Sequence, residues 1–240
     1  LCLASSNQSK EYLKLLNVKN PMHVGNLKLA ATINTNNIDD DNSLYLSQQK
    51  IWCAASTHEG EEIFCLKTHN NLKKTYASII TIIIPRHINR SHKIKVLCDN
   101  LNLKSQIIGR GDLIEKNKEI IIINTFGDLL KYFKCSKSVF IGKSFLKKLK
   151  LVGGQNPIEA AKLGCKVYYG PYVYNFKEIY DLLDSYKISE RVVDEKELSE
   201  KIMIDLKNPK SSHNEATETI NNFGKQILKN SIEEINKILR

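Results

Sequence analysis

The sequence predicts an α/β fold, a doubly wound, Rossmann-like parallel sheet covered by helices on both faces. Three observations carry this. Short apolar runs recur at residues 51–55, 79–84, 106–108, 120–123, 139–141, 167–169 and 191–193. They are mostly continuous rather than alternating, as strands buried on both faces are. Helical stretches separate them, beginning near Gly60, Arg90, Gly127, Pro157, Phe176 and Glu195, and repeated strand–helix alternation points to a parallel sheet.

Taken in order, residues 1–4 read as a strand, 6–16 as a helix and 22–24 as a short strand leading into Gly25-Asn26-Leu27-Lys28. Residues 32–49 read as a linker, because 32–43 are rich in Asn and Asp and nearly lack large apolar side chains. The α/β pattern then runs over residues 50–207. Residues 208–240 read as C-terminal helices, amphipathic from Ser211, with a break expected near Asn230-Ser231. The chain opens without Met inside the apolar run Leu1-Cys2-Leu3-Ala4, which reads as a cut through a larger protein.

Composition narrows the classes. The chain has 240 residues, 42% of them hydrophobic, and a formal charge of +10. That charge suits an anionic partner such as a nucleotide, a nucleic acid or an anionic lipid; Lys is nevertheless spread along the chain, and compositional drift explains it equally well. The cysteines, Cys2, Cys53, Cys65, Cys98, Cys135 and Cys165, include no Cys-x-x-Cys pair and no zinc-like Cys/His spacing, so a reducing compartment and no structural metal are expected. No signal peptide is read at residue 1. The longest apolar runs, 78–85 and 120–123, are too short to span a bilayer, so any membrane association is expected to be peripheral.

In doubly wound sheets ligands bind beyond the carboxyl ends of the strands, and several predicted strand ends carry suggestive residues. The most informative is Gly153-Gly154-Gln155-Asn156-Pro157-Ile158-Glu159. It reads as a glycine turn feeding a helix, with Asn156 as N-cap, Pro157 at the first helical position and Glu159 at the third. Such an end favours an anion, and the glycines allow close approach; an ordinary capped helix accounts for the same residues. Glu159 can close a capping box or accept hydrogen bonds from ribose hydroxyls. Arg86, directly after a buried strand, can hold a phosphate through its planar fork. Gly127-Asp128 opens a helix and fits either a ligand-facing or a plain turn. His58 and His87 are acid–base candidates by type, while Glu61 and Glu62 suit the first turn of a helix, where the dipole favours acids. Tyr168, Tyr169, Tyr172 and Tyr174 suit packing or ring stacking. No Ser–His–Asp order, GxGxxG fingerprint or Walker-type loop is present, which argues against a dinucleotide dehydrogenase or a P-loop hydrolase.

Gly25-Asn26-Leu27-Lys28, Ser56-Thr57-His58-Glu59-Gly60-Glu61-Glu62, Pro85-Arg86-His87, the Gly153–Glu159 segment, and Gly170-Pro171 with Asn175-Phe176 occur in this order. Together they resemble the 3-deoxy-D-manno-octulosonic acid (Kdo) transferases of lipopolysaccharide synthesis, over nearly the whole chain. The resemblance implies the C-terminal, donor-binding half of a GT-B glycosyltransferase, with residues 1–31 a remnant of the acceptor domain and residues 208–240 packing back toward that domain. It implies inverting, metal-independent transfer of Kdo from CMP-Kdo to a lipid A precursor at the cytoplasmic face of the bacterial inner membrane, held there peripherally or by an anchor in a missing N-terminal segment, without a cofactor and without a nucleic-acid partner. CMP contacts carry over to Pro85 and Arg86, to Phe126, Gly127 and Asp128, and to Asn156, Pro157, Ile158 and Glu159. Ser56, His58, Glu59, Gly153 and Gly154 are further donor-site loop positions. The family's general base lies in the N-terminal domain, so no catalytic residue is assigned in this chain. Three positions depart from the family pattern: Phe126-Gly127-Asp128 replaces a Met-Gly-Glu-like turn, Ala160 replaces Pro, and Gly142-Lys143-Ser144 replaces Gly-Gly-Ser. A uridine-nucleotide GT-B transferase or epimerase, or a non-catalytic nucleic-acid-binding module, are the alternatives.

Overall fold

The computed structural model describes residues 1–34, 40–208 and 214–239. They form two compact units, one running over Leu1–Asn34 and Asn214–Arg240, the other over Thr35–His213. Residues 35–39 of the expected linker, and residues 209–213 and Arg240 of the expected tail, lie outside the described residues.

The larger unit is built on seven parallel strands: β3 (Ile51–Thr57), β4 (Ile80–Pro85), β5 (Ser105–Ile108), β6 (Ile120–Ile123), β7 (Ser138–Ile141), β8 (Lys166–Tyr169) and β9 (Ser189–Arg191). Their order across the sheet is β5-β6-β4-β3-β7-β8-β9. From β3 the chain goes to β4, then to the edge strand β5 and back to β6 between β4 and β5, before crossing to β7 on the other side of β3, so the topological switch point lies between β3 and β7. All four residues of β6 and of β7 are buried, as strands covered on both faces require. On one face Trp52, Ala54, Phe140 and Tyr168 pack with Phe64, Leu72, Leu198 and Ile202, from α3 (Glu61–Lys73) and α8 (Glu195–Lys207). The same face continues through Ile83 and Ile122 to Ile94 of α4 (Ser91–Asn100). On the other face Cys53, Ile82, Ile121 and Val139 are fully buried, and α5 (Leu129–Cys135) packs on β3 and on α6 (Ile158–Lys162).

Three expectations are corrected. Residues 41–47, placed in the linker, form helix α2 (Asp41–Ser47), and they belong to the sheet-bearing unit. Asp40 and Ser43 close a capping box at its start, and the buried Leu46 packs it into the unit; a satisfied cap and one apolar anchor outweigh the loop-like composition. The last strand lies two residues earlier than residues 191–193, because Ser189, Glu190 and Arg191 make the ladder with β8. Val192 leaves the ladder to join the core beside α8. The tail has no break at Asn230-Ser231: α9 (Asn214–Leu239) is continuous. Ser231 is buried and donates its hydroxyl to the Ile227 carbonyl at 2.8 Å, so the helix absorbs its polarity.

The smaller unit holds the short parallel pair β1 (Leu3–Ala4) and β2 (Met22–His23), helix α1 (Asn7–Leu15), a 3-10 turn at Leu27–Leu29, and α9. Gly224 brings α9 against that turn, where an added Cβ would lie 2.0 Å from the Leu29 carbonyl oxygen. Further along α9, Leu228, Ile232, Ile235 and Ile238 are exposed. Among the described residues no helix is long and apolar enough to cross a membrane.

Candidate functional site

The carboxyl edge of the sheet divides at β3. A β-bulge between Ala55 and Thr57 shifts the register, so that Thr57 pairs with Pro85. Its extra residue, Ser56, takes a left-handed φ of 56°, a conformation that costs a non-glycine residue about 1 kcal/mol. The Arg86 amide donates to the Thr57 carbonyl at 3.0 Å, which ties the two strand ends together.

On the β4–β6 side lies an open cleft of about 330 Å³. Pro85 and Arg86 from the β4 end and Phe126, Gly127 and Asp128 from the β6 end line it, with Ser56 at its wall. Ser56 apart, these are positions that the family resemblance implies as CMP contacts; residues 156–159, also implied, are not among the residues lining this cleft. Arg86 is exposed, and among the described residues its guanidinium makes no hydrogen bond or ion pair. Phe126 is 76% exposed, an unusual position for a large aromatic ring. Gly127 has φ 92°, and an added Cβ would meet nothing within 4 Å, so the turn is open to solvent. The Thr125 hydroxyl donates to Asp128 Oδ2. Thr125 was not singled out from the sequence; its signal is the Thr-x-x-Asp spacing at the start of α5.

The β3–β7 switch point is filled by the protein itself. Glu61 is fully buried. Its Oε1 accepts from the Ser144 and Phe145 amides at 2.8 and 2.9 Å. Oε2 accepts from the Lys143 and His58 amides at 2.7 and 2.9 Å. The acid that the sequence assigned to helix-dipole compensation is therefore the brace between two loops 82 to 84 residues apart. Gly142 is required beneath it, since an added Cβ would lie 2.6 Å from the Ser56 carbonyl oxygen. Lys143 adopts φ 56° where the resembling family has glycine. Glu62, also fully buried, binds Arg90 at 3.0 Å; burial raises its pKa, and Arg90 opposes that rise. Glu59 is exposed and pairs with the same Arg90 at 3.5 Å.

His58 is half-buried between the two regions. Its Nδ1 lies 3.1 Å from the Ser56 carbonyl, which can only accept, so Nδ1 carries the proton. Burial pulls its pKa below the ordinary histidine value. The His87 ring stands edge-on at 5.8 Å and lines the cleft.

The 153–159 segment also differs from expectation. The helix starts at Ile158 and is five residues long, and Pro157 takes the cap position. Asn156 Oδ1 accepts from the Ile158 amide at 3.1 Å. The Gly153 and Gly154 amides donate to the Leu149 and Lys143 carbonyls, each at 2.6 Å. A Cβ on Gly153 would lie 2.1 Å from the Tyr172 carbonyl oxygen. These glycines thus admit the protein's own 172–173 backbone. Glu159 closes no capping box; it is half-buried, and its carboxylate is unpaired among the described residues. Tyr168 and Tyr169 pack in the core and donate to Asp205 and Asp184.

No protein-family model matches the chain. In sequence it is 33% identical over 193 residues to the 3-deoxy-D-manno-octulosonic acid transferase of Haemophilus influenzae, an alignment covering 76% of this chain and 43% of that protein. The chain spans less than half the length of the curated relatives it matches. In structure it resembles the C-terminal CMP-Kdo binding domain of WaaA from Acinetobacter baumannii, with a TM-score of 0.62 and 24% identity over 77% of this chain and 91% of that one. It also resembles a putative UDP-N-acetylglucosamine 2-epimerase from Listeria monocytogenes, with a TM-score of 0.58 and 15% identity over 96% of this chain and 56% of that one. The fold is thus the Rossmann-like, doubly wound type of GT-B glycosyltransferases, and in sequence the chain is a relative of the 3-deoxy-D-manno-octulosonic acid transferases.

Proposed function

We propose that this chain is the donor-binding half of a Kdo transferase, which holds CMP-Kdo for transfer to a lipid A precursor. The observation that carries the reading is the cleft beyond β4 and β6, where Arg86, unpaired among the described residues, and an exposed Phe126 face one open volume in a relative of that family. Arg86 would pair with the CMP phosphate and stabilise the charge that develops on it as the sugar departs. Phe126 and the Gly127 turn would carry the base. Glu159, whose carboxylate is unpaired among the described residues, is suited to ribose hydroxyls. The chain contributes binding energy, orientation and leaving-group stabilisation; the general base is expected in the acceptor domain. Residues 1–34 and 214–240 would belong with that domain, and the apolar side chains exposed along α9 would pack against it. Because the acceptor is a lipid, the whole enzyme would work at the cytoplasmic face of the bacterial inner membrane, through peripheral contact.

A calorimetric titration with CMP, UMP and UDP tests this. The reading expects saturable binding with CMP preferred, weakened by Arg86→Ala and by Asn156→Ala. A preference for UDP would instead favour the second reading, a uridine-nucleotide enzyme, which the fold match to the Listeria protein supports.

A further inference from the structure

The cleft contains a charge that a phosphate site does not need. Asp128 is the only carboxylate among its described lining residues, and Arg86 is the one permanent cation. Ile84, Pro85, Ile123 and Leu129 supply apolar surface between them. A carboxylate beside a phosphate would repel it, so Asp128 is suited to a hydrogen-bond donor on another part of the ligand. Its geometry suits that. Thr125 donates to Oδ2 and holds the carboxylate in place, while Oδ1 makes no hydrogen bond among the described residues. The neighbouring Phe126 ring is exposed and offers a flat face on the same turn.

A carboxylate accepts hydrogen bonds and cannot donate them. Cytosine presents an exocyclic amine where uracil presents a carbonyl oxygen. We infer that Asp128 is the residue that selects cytidine over uridine nucleotides, accepting from the cytosine amine while Phe126 stacks on the ring. This rests on the proposed CMP site and adds the residue that reads the base. The phosphate contact at Arg86 is common to both nucleotides; the contact at Asp128 separates them.

The test is titration of CMP and UMP into the wild-type chain, Asp128→Asn and Arg86→Ala. Asparagine keeps an acceptor for Thr125 and adds a donor that suits uracil. Asp128→Asn is expected to weaken CMP about tenfold or more and to strengthen UMP, the size of one specific base contact. Arg86→Ala is expected to weaken both nucleotides alike and leave their ratio unchanged. If wild type binds CMP and folded Asp128→Asn keeps the wild-type CMP-to-UMP ratio, Asp128 only holds its own turn and the inference falls alone. If the folded wild-type chain binds neither nucleotide, the CMP site falls and the inference with it.

Discussion

The two crevices at the carboxyl edge of the sheet differ in who fills them. Between β3 and β7, at the topological switch point, the inward-pointing amides of residues 143–145 are taken by the protein's own Glu61. Beyond β4 and β6 the cleft is open, and Arg86 and Phe126 point their chemistry at solvent. Both regions look like anion sites by sequence, because both join a strand end to a glycine and a helix. Only the second leaves its groups unsatisfied. An amide cradle already closed by an internal carboxylate is scaffold, whereas the exposed cation beside an apolar cleft is where we propose the site.

Removing the brace gives the largest effect. Glu61→Ala strips the acceptor from four amides, each worth about 1 kcal/mol or more when left unpaired and buried. Unfolding by urea should show a loss of at least about 3 kcal/mol. The midpoint temperature should fall by roughly 6 °C or more for a unit of this size. Arg86→Ala, on the open side, should stay within about 0.5 kcal/mol of wild type. Equal stability losses in the two variants would erase the distinction between scaffold and site.

The pH dependence is the next in size. His58 sits between the crevices, and His69 is fully buried against Thr81, Glu119 and Lys73. Burial lowers both pKa values below the ordinary histidine value. The unfolded chain therefore takes up protons first, so stability is full above about pH 6.5 and declines as pH falls toward the lowered folded values. Urea midpoints measured between pH 7.5 and 5.5 (roughly one unit either side of that value) should drop toward acid, and His69→Gln should flatten the slope. A midpoint that rises on acidification would contradict this.

Legibility followed the range of the interactions. The apolar runs of β3, β4, β6, β7 and β8 were readable because burial on both faces demands continuous apolar side chains. That Arg86 and the Phe126–Asp128 turn would lie at the carboxyl ends of strands was readable from their places after β4 and β6, and the two segments line one cleft. The role of Glu61 was not readable, since three of its four amide partners lie more than 80 residues away and a first-turn acid has a sufficient local explanation. Gly153 was misread for the same reason: whether a glycine faces a ligand or the Tyr172 backbone depends on a loop that only the folded sheet brings near. Helix α2 was hidden by composition, although Asp40 and Ser43 hold its capping signal.

The smallest expected effect concerns Lys143. Its left-handed backbone costs about 1 kcal/mol, which glycine removes at the expense of a more flexible unfolded chain. Lys143→Gly should fall within about 0.5 kcal/mol of wild type or above it, while Lys143→Val should lose more than about 1 kcal/mol. The reverse order would mean that the loop does not depend on the backbone Glu61 holds.

Amide chemical-shift mapping with CMP tests the central contrast most directly. The strongest changes should fall on residues 85–87 and 125–129, with the Lys143, Ser144 and Phe145 amides nearly unmoved because Glu61 keeps them. Large shifts at those three amides, with the cleft silent, would place the ligand at the switch point and contradict that contrast.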